Sequence, residues 1–125
     1  MGRVVHFEIH ASDLDRAERF YREVFGWEVR RFDGPVDYRL LNTGANSETG
    51  IDGALVERRG TNGDGEAVIA YVCTVQVDDI ESTESRVREA GGEQVVGRQE
   101  IPDVGQLSYF KDTEGNIFGA MQPAS

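Results

Sequence analysis

The chain has 125 residues and a net charge of −10, from 23 Asp and Glu against 13 Lys and Arg, and 38% of its residues are hydrophobic. That length suits one domain with its own core, without a disulfide or structural metal. The acidic balance speaks against nucleic acid or anionic lipid as a partner, and no apolar run reaches the roughly 18 residues of a membrane span.

In chain order, Val5, Phe7, Ile9 and Ala11 alternate with His6, Glu8 and His10, which predicts a strand. Ser12, with Asp15 three residues on, reads as the cap of a helix whose apolar stripe is Leu14, Ala17, Phe20, Tyr21, Val24 and Phe25. Gly26 sits where a left-handed cap ends it. Phe20, Phe25 and Trp27 are expected in the core. Three short strands follow, at Trp27 to Phe32, Tyr38 to Asn42 and Ile51 to Glu57, the last ending in a solvated Arg58-Arg59. A polar stretch, Gly60 to Gly65, then serves as a linker without the Gly-Lys-Ser/Thr of a phosphate loop.

The pattern then repeats. Tyr71, Cys73, Val75 and Val77 alternate with Val72, Thr74 and Gln76, and Cys73 is expected to face the helix as a buried apolar residue. Asp78, with Glu81 three residues on, caps a second helix carrying Ile80, Thr83, Val87 and Ala90, stopped at Gly91-Gly92. Strands follow at Glu93 to Gly97, Gln106 to Lys111 and Asn116 to Gln122, the last two joined by a turn at Asp112-Thr113-Glu114-Gly115. Shifting the chain by 66 residues gives 12 identities in 59 overlapping pairs, among them Glu18 with Glu84, Gly26 with Gly92 and Gly53-Ala54 with Gly119-Ala120. Unrelated sequences of average composition give about 6–7%. The fold class is therefore α+β, as two tandem βαβββ modules at about 3–59 and 67–123 of a single domain.

The stretch His6-Phe7-Glu8-Ile9 with Ser12-Asp13-Leu14, Arg16-Ala17, Phe20-Tyr21 and Phe25-Gly26-Trp27 resembles the opening of the vicinal oxygen chelate superfamily. That group holds glyoxalases, bleomycin-resistance proteins and extradiol dioxygenases. The second half agrees at Val77-Asp78-Asp79-Ile80, Ala90-Gly91-Gly92 and Tyr109 through Gly119. The resemblance implies an open curved β-barrel around a cavity, a homodimer, and a divalent metal held by up to four side chains. Carried over residue by residue, the ligand positions fall on His6, Val72, Gly53 and Gly119, so only His6 retains a ligating side chain. One imidazole cannot hold a transition metal against water, which implies that the family metal is lost. An alternative site uses His6, Glu8 and His10 of one strand for Zn, Ni, Fe or Mn.

These positions define the expected chemistry. His6 and Glu8 are candidate catalytic residues, the carboxylate favouring the imidazolium and fixing its tautomer. His10, at the strand end, is expected to be partly solvated. Thr74 and Gln76 offer hydrogen bonds to a small organic ligand, and Gly53 and Gly119 leave room for it against bare backbone. Tyr38, Tyr109 and Phe110 are aromatic candidates of undetermined facing. The expectation is a soluble, cytoplasmic protein that binds a small molecule without a metal cofactor, with a metal-independent lyase or isomerase activity in view. A metal-dependent lyase or dioxygenase, and a non-catalytic dimeric assembly domain, are the alternatives.

Overall fold

The computed structural model describes residues 2–32, 34–58 and 68–125; Arg59 and the expected linker Gly60 to Gly65 lie outside the described residues. Two compact units make up the chain. One is His6–Tyr71; the other is Val72–Ser125 together with the first residues through Val5. Among the described residues no helix is long and apolar enough to cross a membrane.

The first unit is built from β1 (Arg3–Ala11, whose first three residues count with the other unit), α1 (Leu14–Phe25), β2 (Glu28–Arg31), β3 (Arg39–Asn42) and β4 (Gly53–Glu57). Its strands lie in the order β2-β3-β4-β1, with β1 parallel to β4 and the other pairs antiparallel. The period-two alternation of β1 holds: Ile9 and Ala11 join Leu14, Leu41 and Leu55 in the core under α1, with Phe7, Ala17, Tyr21, Trp27 and Val29 packed around them. Each large aliphatic so buried contributes about 1.5–3 kcal/mol.

The second unit repeats the order with β5 (Tyr71–Gln76, its first residue counted with the first unit), α2 (Ile80–Glu89), β6 (Glu93–Ile101), β7 (Gly105–Lys111) and β8 (Ile117–Pro123). Its strands lie in the order β5-β8-β7-β6. Here Ile80, Phe110 and Ala120 form the core under α2. The turn at Asp112 to Gly115 closes as expected, with Gly115 at φ 83° and its amide donating to the Asp112 carbonyl at 3.2 Å.

Several details differ from expectation. The helix caps are Asp13 and Asp79, one residue later than Ser12 and Asp78. Their carboxylates accept from the amides of Arg16, and of Glu81 and Ser82, a reach that a residue one step earlier lacks. Phe20, Val24 and Phe25 are not core: all three are more than half exposed. At 100° per residue the centre of α1's buried stripe falls on Leu14, Ala17 and Tyr21, leaving Phe20 and Val24 on its flank. Cys73 is exposed rather than buried, because the buried positions of β5 are Val72 and Thr74, which alternate with it. Arg58 is a tie, not a solvated end: it donates to the carbonyls of Val68 and His10 and to the Ser12 hydroxyl.

In each module an arginine from the sheet grips the helix. Arg39, almost fully buried, donates to Asp37 through two 2.9 Å bonds and reaches Asp15 at 2.9 Å and Glu18 at 3.1 Å. In the second module Arg98 holds the buried Glu84 through bonds of 3.0 and 2.9 Å, and Gln94 bridges Glu84 to Ser108. Glu18 and Glu84 are the same residue of the repeat. Arg39→Ala is expected to cost about 2 kcal/mol in urea unfolding, at the low end for a buried ion pair because Asp15 and Asp37 are substantially exposed. The arginine holds the Asp37 carboxyl below its usual 3.8, so this stabilisation is present above that pH and lost as pH falls through the lowered value. The wild-type and variant stabilities should therefore converge in acid.

Candidate functional site

The helix-free face of the first module's sheet carries a continuous hydrogen-bonded chain. His6 Nε2 lies 2.9 Å from Tyr38 Oη, which donates to Glu8 Oε2 at 3.0 Å. Glu8 is 0% exposed and Tyr38 is 4% exposed, and the His6 and Tyr38 rings stack with centroids 6.4 Å apart. Because Tyr38 spends its proton on Glu8, its oxygen accepts from His6 Nε2–H. The expected His6–Glu8 pair is thus linked through a tyrosine, not made directly. Burial holds the His6 imidazole below 6.5, opposed by the Asp52 carboxylate and by a hydrogen bond to the Asp52 backbone. Asp52 is itself fixed by Thr43, whose amide donates to its carboxylate at 2.9 Å.

Neighbouring residues explain how Tyr38 arrives there. Arg39 is anchored on the α1 side, so Tyr38, one residue earlier, turns to the opposite face. His10 shares that face but is 3% exposed, not partly solvated, because Arg58 folds back over the strand end and binds the His10 carbonyl at 3.1 Å.

The two glycines differ in kind. Gly53 pairs with Phe7 and Leu41, and a Cβ there would stand 2.6 Å from both the Phe7 ring and the Phe7 carbonyl oxygen. It therefore faces the α1 side, and the room expected over it is filled by Phe7. Gly119 pairs with Thr74 and Tyr109, and a Cβ there would meet Thr74 Oγ1 and Tyr109 Cε1 at an ordinary 3.4 Å. It lies on the helix-free face of the second module, with Leu107 and Tyr109, whereas Phe110 points to α2. Thr74 is buried with its hydroxyl lacking a hydrogen-bond partner among the described residues, while Gln76 is exposed. The 66-residue correspondence thus slips by one register: Phe7 meets Gly53, but Thr74, not Cys73, meets Gly119.

These facings decide the metal question on the donor set. Of the four family positions, His6 is tied to Tyr38, Val72 is apolar, Gly53 faces Phe7, and Gly119 has no side chain. For the one-strand alternative, Glu8 is tied to Tyr38. Among the described residues no group of three or more His, Cys, Asp or Glu stands where it could hold an ion. The residues present do not fit the family's metal.

Comparison with known proteins bears on the family and the fold. The profile described as "Bleomycin resistance protein-like N-terminal" matches residues 3–44. A probable lactoylglutathione lyase of Vibrio cholerae is 30% identical over 128 residues, covering 96% of this chain and 90% of the relative. Among solved structures, a hypothetical protein from Bacillus halodurans matches with a TM-score of 0.71 at 14% identity, over 99% of this chain and 96% of that one. Methylmalonyl-CoA epimerase from Mycobacterium tuberculosis matches at 0.69 and 17% identity, over 98% and 88%. The chain belongs to the vicinal oxygen chelate superfamily, among its glyoxalase- and bleomycin-resistance-like members.

Sequence reading found His6 and Glu8 but not the tyrosine between them; Tyr38 precedes its strand, so alternation could not assign its face. Two measurements check these placements. Gly53→Ala should destabilise the fold by about 1–3 kcal/mol through forced displacement of Phe7, whereas Gly119→Ala should change stability by less than about 1 kcal/mol. With the His6 imidazole held below 6.5, the unfolded chain binds its proton first, so stability should fall as pH drops below that value. His6→Gln should remove that component of the pH dependence in thermal melts.

Proposed function

We propose that this chain binds a small organic molecule at the His6–Tyr38–Glu8 chain and moves a proton on it, as a metal-independent lyase or isomerase of the glyoxalase/bleomycin-resistance type. The observation that carries this reading is a fully buried carboxylate joined through one tyrosine to an imidazole of lowered proton affinity. A buried acid costs folding free energy, and clusters of acid–base groups in apolar surroundings mark sites of proton transfer. The relay balances simply. As His6 Nδ1 takes a proton from the ligand, its Nε2 proton passes to Tyr38 Oη and the Tyr38 proton to Glu8, so His6 and Tyr38 end neutral and the negative charge of the Glu8 carboxylate passes to the ligand. The names carried by the similar proteins, a lyase and an epimerase, fit an activity of this class.

A thermal-shift screen against aromatic compounds, thiol conjugates and antibiotics tests the reading. A ligand at 100 times its dissociation constant should add about 2.7 kcal/mol. Tyr38→Phe and Glu8→Gln should keep the fold and weaken that ligand's binding at least about tenfold, the loss of one buried charge-assisted hydrogen bond. Undiminished binding by both variants would overturn the assignment. So would stoichiometric Zn, Ni, Fe or Mn in protein purified without chelator.

A further inference from the structure

We infer that a groove at the start of α1, on the helix side of β1, binds a planar aromatic carboxylate. The groove encloses about 350 Å³, at the small end of the roughly 300–1,000 Å³ of ligand pockets, which suits one ring or two fused rings. Its apolar walls include Ala11, Ala17, Phe20 and Tyr21. The Phe20 and Tyr21 rings stand edge to face, 5.0 Å apart and at 86°, and make a corner in which a flat ring can lie against one face. A ligand seated there removes from water part of the Phe20 surface, which the fold leaves 53% exposed.

Charge selects an anion. Arg16 and Arg58 line the same groove. Three of the five N–H groups of the Arg58 guanidinium go to neutral oxygens: the Val68 carbonyl at 2.9 Å, the His10 carbonyl at 3.1 Å and the Ser12 hydroxyl. The positive charge of Arg58 therefore meets no carboxylate among the described residues, and neither does that of the exposed Arg16. The neighbouring acids are committed elsewhere. Asp13 caps α1 through the Arg16 amide at 3.0 Å, and Asp15 is held by Arg31 and Arg39. A guanidinium already fixed by neutral acceptors loses little side-chain freedom when a carboxylate arrives, and the charge-assisted bond it forms is among the stronger kinds. Inorganic phosphate would leave the aromatic corner bare, and a neutral ring would leave both arginines unanswered. One carboxylate on an aromatic body satisfies both. The groove lies across β1 from the His6–Tyr38–Glu8 chain, with Ala11 on the α1 side, so this inference does not rest on the proton relay.

Titration of the isotope-labelled full chain with 2-naphthoate, followed through its amide NMR signals, tests this. Saturable shifts should appear between Ser12 and Tyr21 and at Arg58, with a dissociation constant between about 10 μM and about 1 mM for a ligand of this size. The neutral 2-naphthylmethanol and the ring-free acetate should each bind at least about tenfold more weakly. Arg58→Gln also loosens the strand end, so exposed positions carry the mutational test. Arg16→Glu should keep the wild-type circular dichroism and weaken 2-naphthoate binding about tenfold, and Phe20→Ala about fivefold. No saturable shift up to about 5 mM overturns the proposal. So does 2-naphthylmethanol binding as well as the acid, or binding indifferent to both variants. Shifts centred on His6, Glu8 and Tyr38 and abolished by Tyr38→Phe would put the probe on the helix-free face, which overturns it as well.

Discussion

Each module rests on a charge placed under its helix. Glu18 and Glu84 occupy the same point of the repeat, and an arginine from the sheet reaches each of them, Arg39 in one module and Arg98 in the other. A carboxylate turned towards a sheet is costly unless it is met by a cation with good geometry, which Arg98 provides to Glu84 through two bonds and Arg39 to Glu18 through one. The consequence reaches the other side of the sheet. Strand neighbours point to opposite faces, so fixing Arg39 against α1 commits Tyr38 to the helix-free face, where it connects His6 to Glu8. The structural clamp and the acid–base chain are thus two faces of one dipeptide.

Much of this fold is legible in the sequence. The 66-residue period placed both helices and all eight strands, because alternation of period two and stripes of period 3.6 report burial directly. The resemblance at the first strand and helix named the superfamily. Residues near a boundary or a flank were less legible. Whether Asp13 or Ser12 caps α1 depends on which carboxylate reaches the Arg16 amide, and both residue types are competent. Phe20 and Phe25 looked like core because their spacing fits a helix, yet the width of the buried stripe is set by the sheet beneath, which periodicity does not measure. Cys73 is misplaced because alternation on β5 gives two faces without saying which is buried, and burial falls on Val72 and Thr74.

The site was half legible. His6 and Glu8 follow from alternation on β1, whereas Tyr38 and Asp52 lie just outside strands and take their positions from Arg39 and Thr43. The correspondence of Gly53 with Gly119 was the most misleading feature. Both are glycines at the same point of the repeat, yet one is required by the close approach of Phe7 and the other faces Thr74. Identity in a repeat records common descent and does not guarantee a common facing when strand pairing slips by one residue.

That slip has an evolutionary consequence. The two halves are no longer interchangeable parts: a chimaera that copied the opening half into the place of the closing half would turn the final strand's side chains over. By the same reasoning, a new side chain is accommodated more readily at position 119, where it meets only ordinary contacts, than at position 53, where it would have to evict an aromatic ring.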